Sequence, residues 1–282
     1  MNDKQFVNEM VKIDKSLNPA KNTPGDWQKM MDYLRENTMQ EDVNKWSKKL
    51  KIPPSNLVES SLVVGEYKGQ DVCMFPMVDH WRQVCGFRLR STNGAKFSWP
   101  GSRQGHFMGT VDHGGVLLIT EGPTDAACGR VLGFDTIGRP NANSCVDDLV
   151  HLVRHFYATR TIIIIADDDE VGMAGAKALA SALYGVTVSV KIIVPHVGKD
   201  LRDWVHGGLT QLTLLKAIEE AAEYVEEGQK HRDPILTWEF LSCDECLYGL
   251  DGICISECPQ PIEDPALKHR CKYGKIYKPE RN

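Results

Sequence analysis

The chain has 282 residues, 42% of them hydrophobic and 25% charged, with a formal net charge of −5. That balance excludes an intrinsically disordered chain and leaves room for one large or two modest folded domains. The longest apolar run, TIIIIA (161–166), is far too short to cross a bilayer, and the polar start MNDKQFVNEM has no secretory core. A cytoplasmic protein without membrane contact is therefore expected, with its nine cysteines reduced or metal-bound.

Residues 1–59 read as a helical N-terminal segment. A polar lead-in closes on the turn NTPG (22–25), Asp26 is placed to cap the helix DWQKMMDYLREN, and MQEDVNKWSKKL forms a second helix that stops before Pro53 and Pro54. Residues 60–113 read as a β-rich subdomain. Alternating strands are expected at 61–67, 72–78, 84–91 and 95–99, separated by KGQD, DHWR and TNG turns. In VCGFRLR the alternation puts Arg88 and Arg90 on one face and Phe87 and Leu89 on the other. With Lys96 the two arginines are candidates for phosphate contacts, although a solvated face of an antiparallel sheet carries the same residues. Residues 1–113 have a net charge of +3, from 16 basic and 13 acidic residues.

Residues 114–227 carry −7, from 9 basic and 16 acidic residues, and hold the most informative pattern. LLITEGPTDAA (117–127) and TIIIIADDDEVGMAGAKALA (161–180) are each a β-branched and aliphatic run that ends in carboxylates and continues as an alanine-rich helix. Glu121, Asp167 and Asp169 then stand at the C-terminal edge of a parallel sheet, where open α/β sheets bind ligands. Three hard oxygen donors there suit Mg²⁺. Between them, DTIGRPNANS ends a short strand, and Gly138 serves either close approach of the backbone to a ligand or simply the turn. After the strand VSVKIIV (188–194) comes a further acidic stretch, GKDLRDW, with Asp200 and Asp203. LTLLKAIEEAAEYVEE reads as a long closing helix, and residues 228–240 as a linker.

Residues 241–282 hold five of the nine cysteines. The C-x-x-C pair Cys243 and Cys246 with Cys254 and Cys271 makes a tetrahedral set suited to structural Zn²⁺, and Cys258 or His269 could replace one member. An iron–sulfur cluster is the lesser alternative. Cys73, Cys85, Cys128 and Cys145 read as small buried apolar residues.

Glu121-Gly122 with Asp125, followed by Asp167-Asp168-Asp169 and Gly172, resembles the Toprim domain of primases and topoisomerases. FPMVD (75–79), QVCGFRLR (83–90) and AKF (95–97) follow the strand order that precedes Toprim in bacterial and phage DNA primases. The likeness covers roughly residues 60–210. It implies an α/β fold: a Toprim parallel-sheet domain, preceded by a small helical and antiparallel-strand subdomain and followed by the Cys-rich metal-binding tail. It further implies an RNA polymerase that makes short primers on single-stranded DNA from nucleoside triphosphates, with Mg²⁺ or Mn²⁺, and with a replicative helicase on a separate chain. Asp167 and Asp169 would hold the ion, with Glu121 a further ligand or a general acid/base. Arg88, Arg90 and Lys96 would bind nucleotide or template, while Asp125, Asp168, Asp200 and Asp203 would serve in supporting or helix-capping roles.

A Toprim nuclease and a non-catalytic DNA-binding or recombination-mediator module are the competing readings. A topoisomerase is disfavoured, because no large domain is present for a cleavage tyrosine. No G-x-x-x-x-G-K-[ST] motif occurs either. Primases of this kind carry zinc at the N-terminus, whereas here the cysteines lie at the other end. A core without a fused helicase suggests a phage or mobile element, and so a host cytoplasm.

Overall fold

Apolar side chains at helical spacing form α1 (Pro24–Asn37), α2 (Gln40–Leu50) and α3 (Pro54–Glu59). The computed structural model describes residues 24–108, 115–226, 249–250 and 253–254. The chain divides into two units, Met1–Arg232 and Asp233–Asn282. Helix α1 begins at Pro24, so Asp26 lies within its first turn instead of preceding it.

Four strands follow as an antiparallel meander in the order β1 (Val63–Tyr67), β2 (Gln70–Val78), β3 (Val84–Ser91) and β4 (Lys96–Ser98). Their alternation buries both faces. Val72, Met74, Phe87 and Leu89 pack under Trp27 and Met31 of α1. Cys73, Phe75, Met77 and Cys85 pack with Trp46 and Leu57 from α2 and α3.

The second half alternates strand and helix: β5 (Phe107–Met108), β6 (Leu117–Glu121), α4 (Gly122–Val131), β7 (Asp135–Arg139) and α5 (Val146–Leu152). A π-helical turn, Val153–Tyr157, leads to β8 (Thr161–Ile165), α6 (Glu170–Leu183), β9 (Ser189–Ile193), α7 (Leu201–His206) and α8 (Gln211–Glu220). The sheet order is β5-β7-β6-β8-β9, parallel throughout except for β5. Leu117, Ile119, Ile162 and Ile164 face Leu149, Leu152, Leu179 and Leu183 on one side. Leu118, Ile163 and Ile165 face Leu201, Trp204, Leu214 and Ile218 on the other. Burial on both faces accounts for the uninterrupted apolar runs in β6 and β8. This is the expected α/β architecture, an antiparallel subdomain before a mostly parallel sheet.

Three expectations change. The closing helix stops at Glu220; beyond it Tyr224 N donates to Val190 O at 2.8 Å, and the backbone of Glu223 pairs antiparallel with that of Lys191. The open edge of β9 offers the backbone a partner, which outweighs the helix propensity of the sequence there. Cys73, Cys85 and Cys128 are buried, but Cys145 is only partly so and precedes α5 at φ 60°. Gly138 lies within β7, and a Cβ on it would stand 2.5 Å from Gly122 O and 3.2 Å from Ala126 Cβ. The space is filled by α4, so the missing side chain lets strand and helix pack closely.

In the second unit, β10 (Gly249–Leu250) and β11 (Ile253–Cys254) pair antiparallel. The expected zinc ligands Cys243, Cys246 and Cys271, the alternatives Cys258 and His269, and the linker 228–240 lie outside the described residues. Of Cys254 only the backbone is described. Among the described residues no helix is long and apolar enough to cross a membrane.

Replacing Gly138 with Ala should lower the unfolding free energy by about 1–3 kcal/mol through overpacking against α4. Urea denaturation measures it, and an unchanged midpoint would refute the packing role.

Candidate active site

Glu121 ends β6, and Gly122 turns the chain into α4 at φ 78°, a conformation that glycine adopts freely. Asp167 lies two residues beyond β8, and its carbonyl accepts from Asp169 N at 2.8 Å. Gly172 on α6 leaves room for this turn, since a Cβ there would meet Asp167 O at 2.6 Å. Asp169 caps α6, its Oδ1 accepting from Gly172 N at 2.7 Å, while its Oδ2 meets Lys199 Nζ at 2.8 Å. Asp168 is exposed, and its N donates to Lys199 O at 2.8 Å, which ties this turn to the loop after β9.

That loop brings a second group alongside. Asp200 caps α7 by accepting from Asp203 N at 2.7 Å, and Arg202 Nη2 stands 3.1 Å from Asp200 and 3.7 Å from Asp203. Arg202 N donates to Oδ1 of the buried Asp125 at 3.0 Å. Asp167, Asp168 and Asp169 with Met173 and Lys177 line an open groove of about 600 Å³.

The electrostatics show crowded negative charge. Burial, then the charges of Glu121 and Asp200, push the Asp167 carboxyl up to about 6. Burial raises Glu121 too; Arg139 opposes this and Asp169 adds to it. Burial and then Asp200 drive Asp125 up to about 7. The Lys199 hydrogen bond, followed by that of Gly172 N, holds Asp169 below its ordinary value.

These residues fit a divalent cation in part. Glu121 Oε1 is buried without a hydrogen-bond partner, and Asp167 is destabilised by like charges, two conditions that a hard cation relieves. Asp169 already has both oxygens engaged, and it joins the pair only when Lys199 moves away. Among the described residues no three His, Cys, Asp or Glu side chains converge as a ready cage.

Of the expected basic residues, Lys96 and Arg90 come together beside the acidic groups. Burial and the charges of Arg90 and Arg202 lower the Lys96 ammonium, opposed by Asp125 and Asp200, although Lys96 keeps access to solvent. Arg90 has Nε and Nη1 buried without partners. Arg88 Nη1 donates to Ser98 Oγ at 3.2 Å across the meander. Sequence reasoning missed Lys199, Arg202 and Arg139. The first two sit inside GKDLRDW, where basic residues between acidic ones were a readable sign of internal pairing. Arg139 is wholly buried, its guanidinium on Ala142 O, which one residue at a strand end does not reveal.

No protein-family model matches the chain. The Gene 57 protein of Mycobacterium phage D29 is 33% identical over 91 residues, covering 30% of this chain and 58% of that protein. Among solved structures, the Aquifex aeolicus primase with its zinc-binding and RNA polymerase domains aligns at a TM-score of 0.55 and 15% identity, over 78% of this chain and 68% of that one. A DnaG primase catalytic domain bound to single-stranded DNA aligns at 0.53 and 11%, over 70% and 78%. The chain has the fold of a DnaG primase catalytic core. At these identities the likeness is one of fold, and the match spans less than two thirds of the phage relative's length.

Because the folded Asp167 carboxyl titrates at about 6 against an ordinary 3.8, the native state holds its proton more tightly than the unfolded chain between those values. Its contribution to stability is complete below 3.8 and is lost as pH rises through about 6. Metal-free protein should thus lose on the order of 1 kcal/mol across that window, allowing for solvent screening at a partly exposed group. Urea titrations at several pH values test this: Asp167→Asn should flatten the slope, and a wild-type stability that rises over the same window would contradict it.

Proposed function

We propose that this chain is a DNA primase that joins nucleoside triphosphates into short RNA primers on single-stranded DNA, with Mg²⁺ or Mn²⁺. The observation that carries the reading is a primase-core fold with an unsatisfied Glu121 oxygen at its acidic edge and, on the antiparallel subdomain, Arg90 with unpaired nitrogens next to Lys96, whose ammonium feels Asp125, Asp200 and Arg202. A buried carboxylate oxygen and a half-buried guanidinium with two unpaired nitrogens are the chemistry of a site for a cation-bound polyphosphate.

Glu121 and Asp167 would hold the ion, joined by Asp169 once Lys199 releases it. Such an ion supplies Lewis-acid activation of the attacking hydroxyl and offsets charge on the leaving pyrophosphate. Arg90 and Lys96 bind and orient the triphosphate, with Arg88 extending the basic face toward the template backbone. Arg202 keeps Asp125 and Asp200 in place from beneath. Released from Asp169, Lys199 is free to neutralise a phosphate oxygen.

Residues 60–113 and 114–227 serve as the two halves of the catalytic core, behind a helical segment at 1–59. Past a linker at 228–240, the tail 241–282 binds structural zinc through Cys243, Cys246, Cys254 and Cys271. The partners are the single-stranded template, nucleoside triphosphates and a replicative helicase on another chain. The likeness to a phage protein supports action in a host cytoplasm.

Incubated with single-stranded DNA, ribonucleoside triphosphates and Mg²⁺ or Mn²⁺, the protein should yield short RNA on a denaturing gel. Asp167→Asn should reduce the yield roughly 10²-fold or more, as expected for an electrostatic contact made at the reacting centre. Arg90→Gln should raise the nucleotide KM about 10-fold, the worth of one hydrogen bond to a charged group. Cleavage of the DNA without any RNA product would point instead to a nuclease.

A further inference from the structure

The hairpin tip between β2 and β3 is a rigid display of flat and cationic side chains. Asp79 Oδ1 accepts from Trp81 N and Gln83 N, each at 3.0 Å, and Arg82 N donates to Asp79 O at 2.8 Å. This closure puts Arg82 at φ 61°, a left-handed conformation that glycine takes freely and arginine adopts at some expense. The arginine is held there from the other half of the fold: its Nη2 donates to Tyr157 OH at 3.1 Å and its guanidinium lies 4.4 Å from the Phe156 ring centroid. Next to it, His80 Nδ1 stands 2.9 Å from Asp148 Oδ1 on α5.

From this anchor a row of rings runs along α5 and the π-helical turn. Trp81 and His80 have centroids 4.8 Å apart, His80 and His151 5.3 Å, and His151 and His155 6.5 Å with planes only 11° from parallel. Trp81 is 46% exposed, and Arg82, His151 and Arg154 are exposed as well. Asp148 is taken up by His80, which leaves Asp147, one turn before His151, as the opposing charge at the start of that helix. The helix that carries His151 starts next to the candidate active site. Helix α5 follows directly on the 141–145 loop, where Ala142 O receives the Arg139 guanidinium and Ala142 packs against Gly175 of α6.

The exposed rings of Trp81 and His151, with half-buried His80 and His155 beside them and guanidinium groups at their flank, match the chemistry of unpaired bases on a phosphate backbone; the bases of a duplex are already stacked and withdrawn. We propose that Trp81, His80, His151 and His155, with Arg82 and Arg154, form a stacking track for single-stranded DNA that leads to the acidic groove. The assignment rests on the primase reading above and adds to it the path of the template. The tip hydrogen bonds hold Trp81 outward before DNA arrives, so little ordering entropy is lost on binding.

The test uses the full-length protein and a fluorescent single strand of about 16 nucleotides, followed by anisotropy in low salt with EDTA. The double variant Trp81→Ala/His151→Ala should bind about 10-fold or more weakly while melting at the wild-type temperature. Arg154→Gln should reduce the slope of log affinity against log salt by about 0.7. Equal affinity of the double variant and the wild type overturns the track. So does a wild type that binds no single strand, an outcome that leaves the face to a protein partner. The two readings fail separately. A wild type that binds through these rings yet makes no primer keeps the track and removes the polymerase; primer synthesis with template affinity indifferent to the rings does the reverse.

Discussion

Repulsion among carboxylates at one edge of a buried parallel sheet is the constraint around which the rest of this structure is arranged. Glu121 is fixed by β6 and Asp167 by the turn after β8, and both strands are packed on both faces, so neither can retreat from the other. The chain answers with cations drawn from elsewhere: Arg139 beside Glu121, Lys199 on Asp169, and Arg202 between Asp200, Asp203 and Asp125. The compensation is incomplete. Asp167 and Asp125 still titrate well above ordinary aspartates, and Glu121 keeps a buried oxygen without a partner. A site that holds surplus negative charge at the expense of stability is a site organised for a ligand of opposite sign.

The opposing basic face depends on the same packing. Ala127 and Cys128 of α4 share one apolar cluster with Trp46, Phe75, Cys85 and Phe107, so the helix that begins at the acidic edge is also part of the core of the antiparallel subdomain. The register Arg90 to Lys96 is set by the turn at 91–95, where Ser91 N bonds Ala95 O and Asn93 Oδ1 accepts from Ala95 N. A slip of one residue would turn both cations to the opposite face of the meander and bring Leu89 to the face they now occupy.

Much of this was legible in the sequence because the signals are local and periodic. The alternation in VCGFRLR placed Arg88 and Arg90, and the abrupt change from TIIIIA to DDD marked the end of β8 to within one residue. The acidic capping of α6 and α7 followed from side-chain chemistry. What was not legible depends on pairs distant in sequence. Lys199 reaches Asp169 across a whole β-α-β unit, and the helix after Thr210 ends early because β9, nearly twenty residues upstream at its nearest, has an open edge. Gly138 was read either as a ligand position or as a turn, because a missing side chain at a strand end does not say which group approaches; the carbonyl of Gly122 does so here.

Lys199 is where the two kinds of information meet. Its ammonium sits on the one carboxylate of the three that the sequence pattern names but that the geometry leaves engaged. An exposed ion pair of this kind contributes little to stability, so the energy needed to open it is small. The same backbone segment, through Lys199 O and Asp168 N, keeps the aspartate turn in place whether or not the side chain remains. The loop after β9 therefore does two separable things: its main chain sets the geometry of the acidic turn, and its lysine side chain balances the charge that the turn creates. Removal of that side chain would leave the frame standing with more negative charge inside it, a state that a bound proton or an external cation relieves.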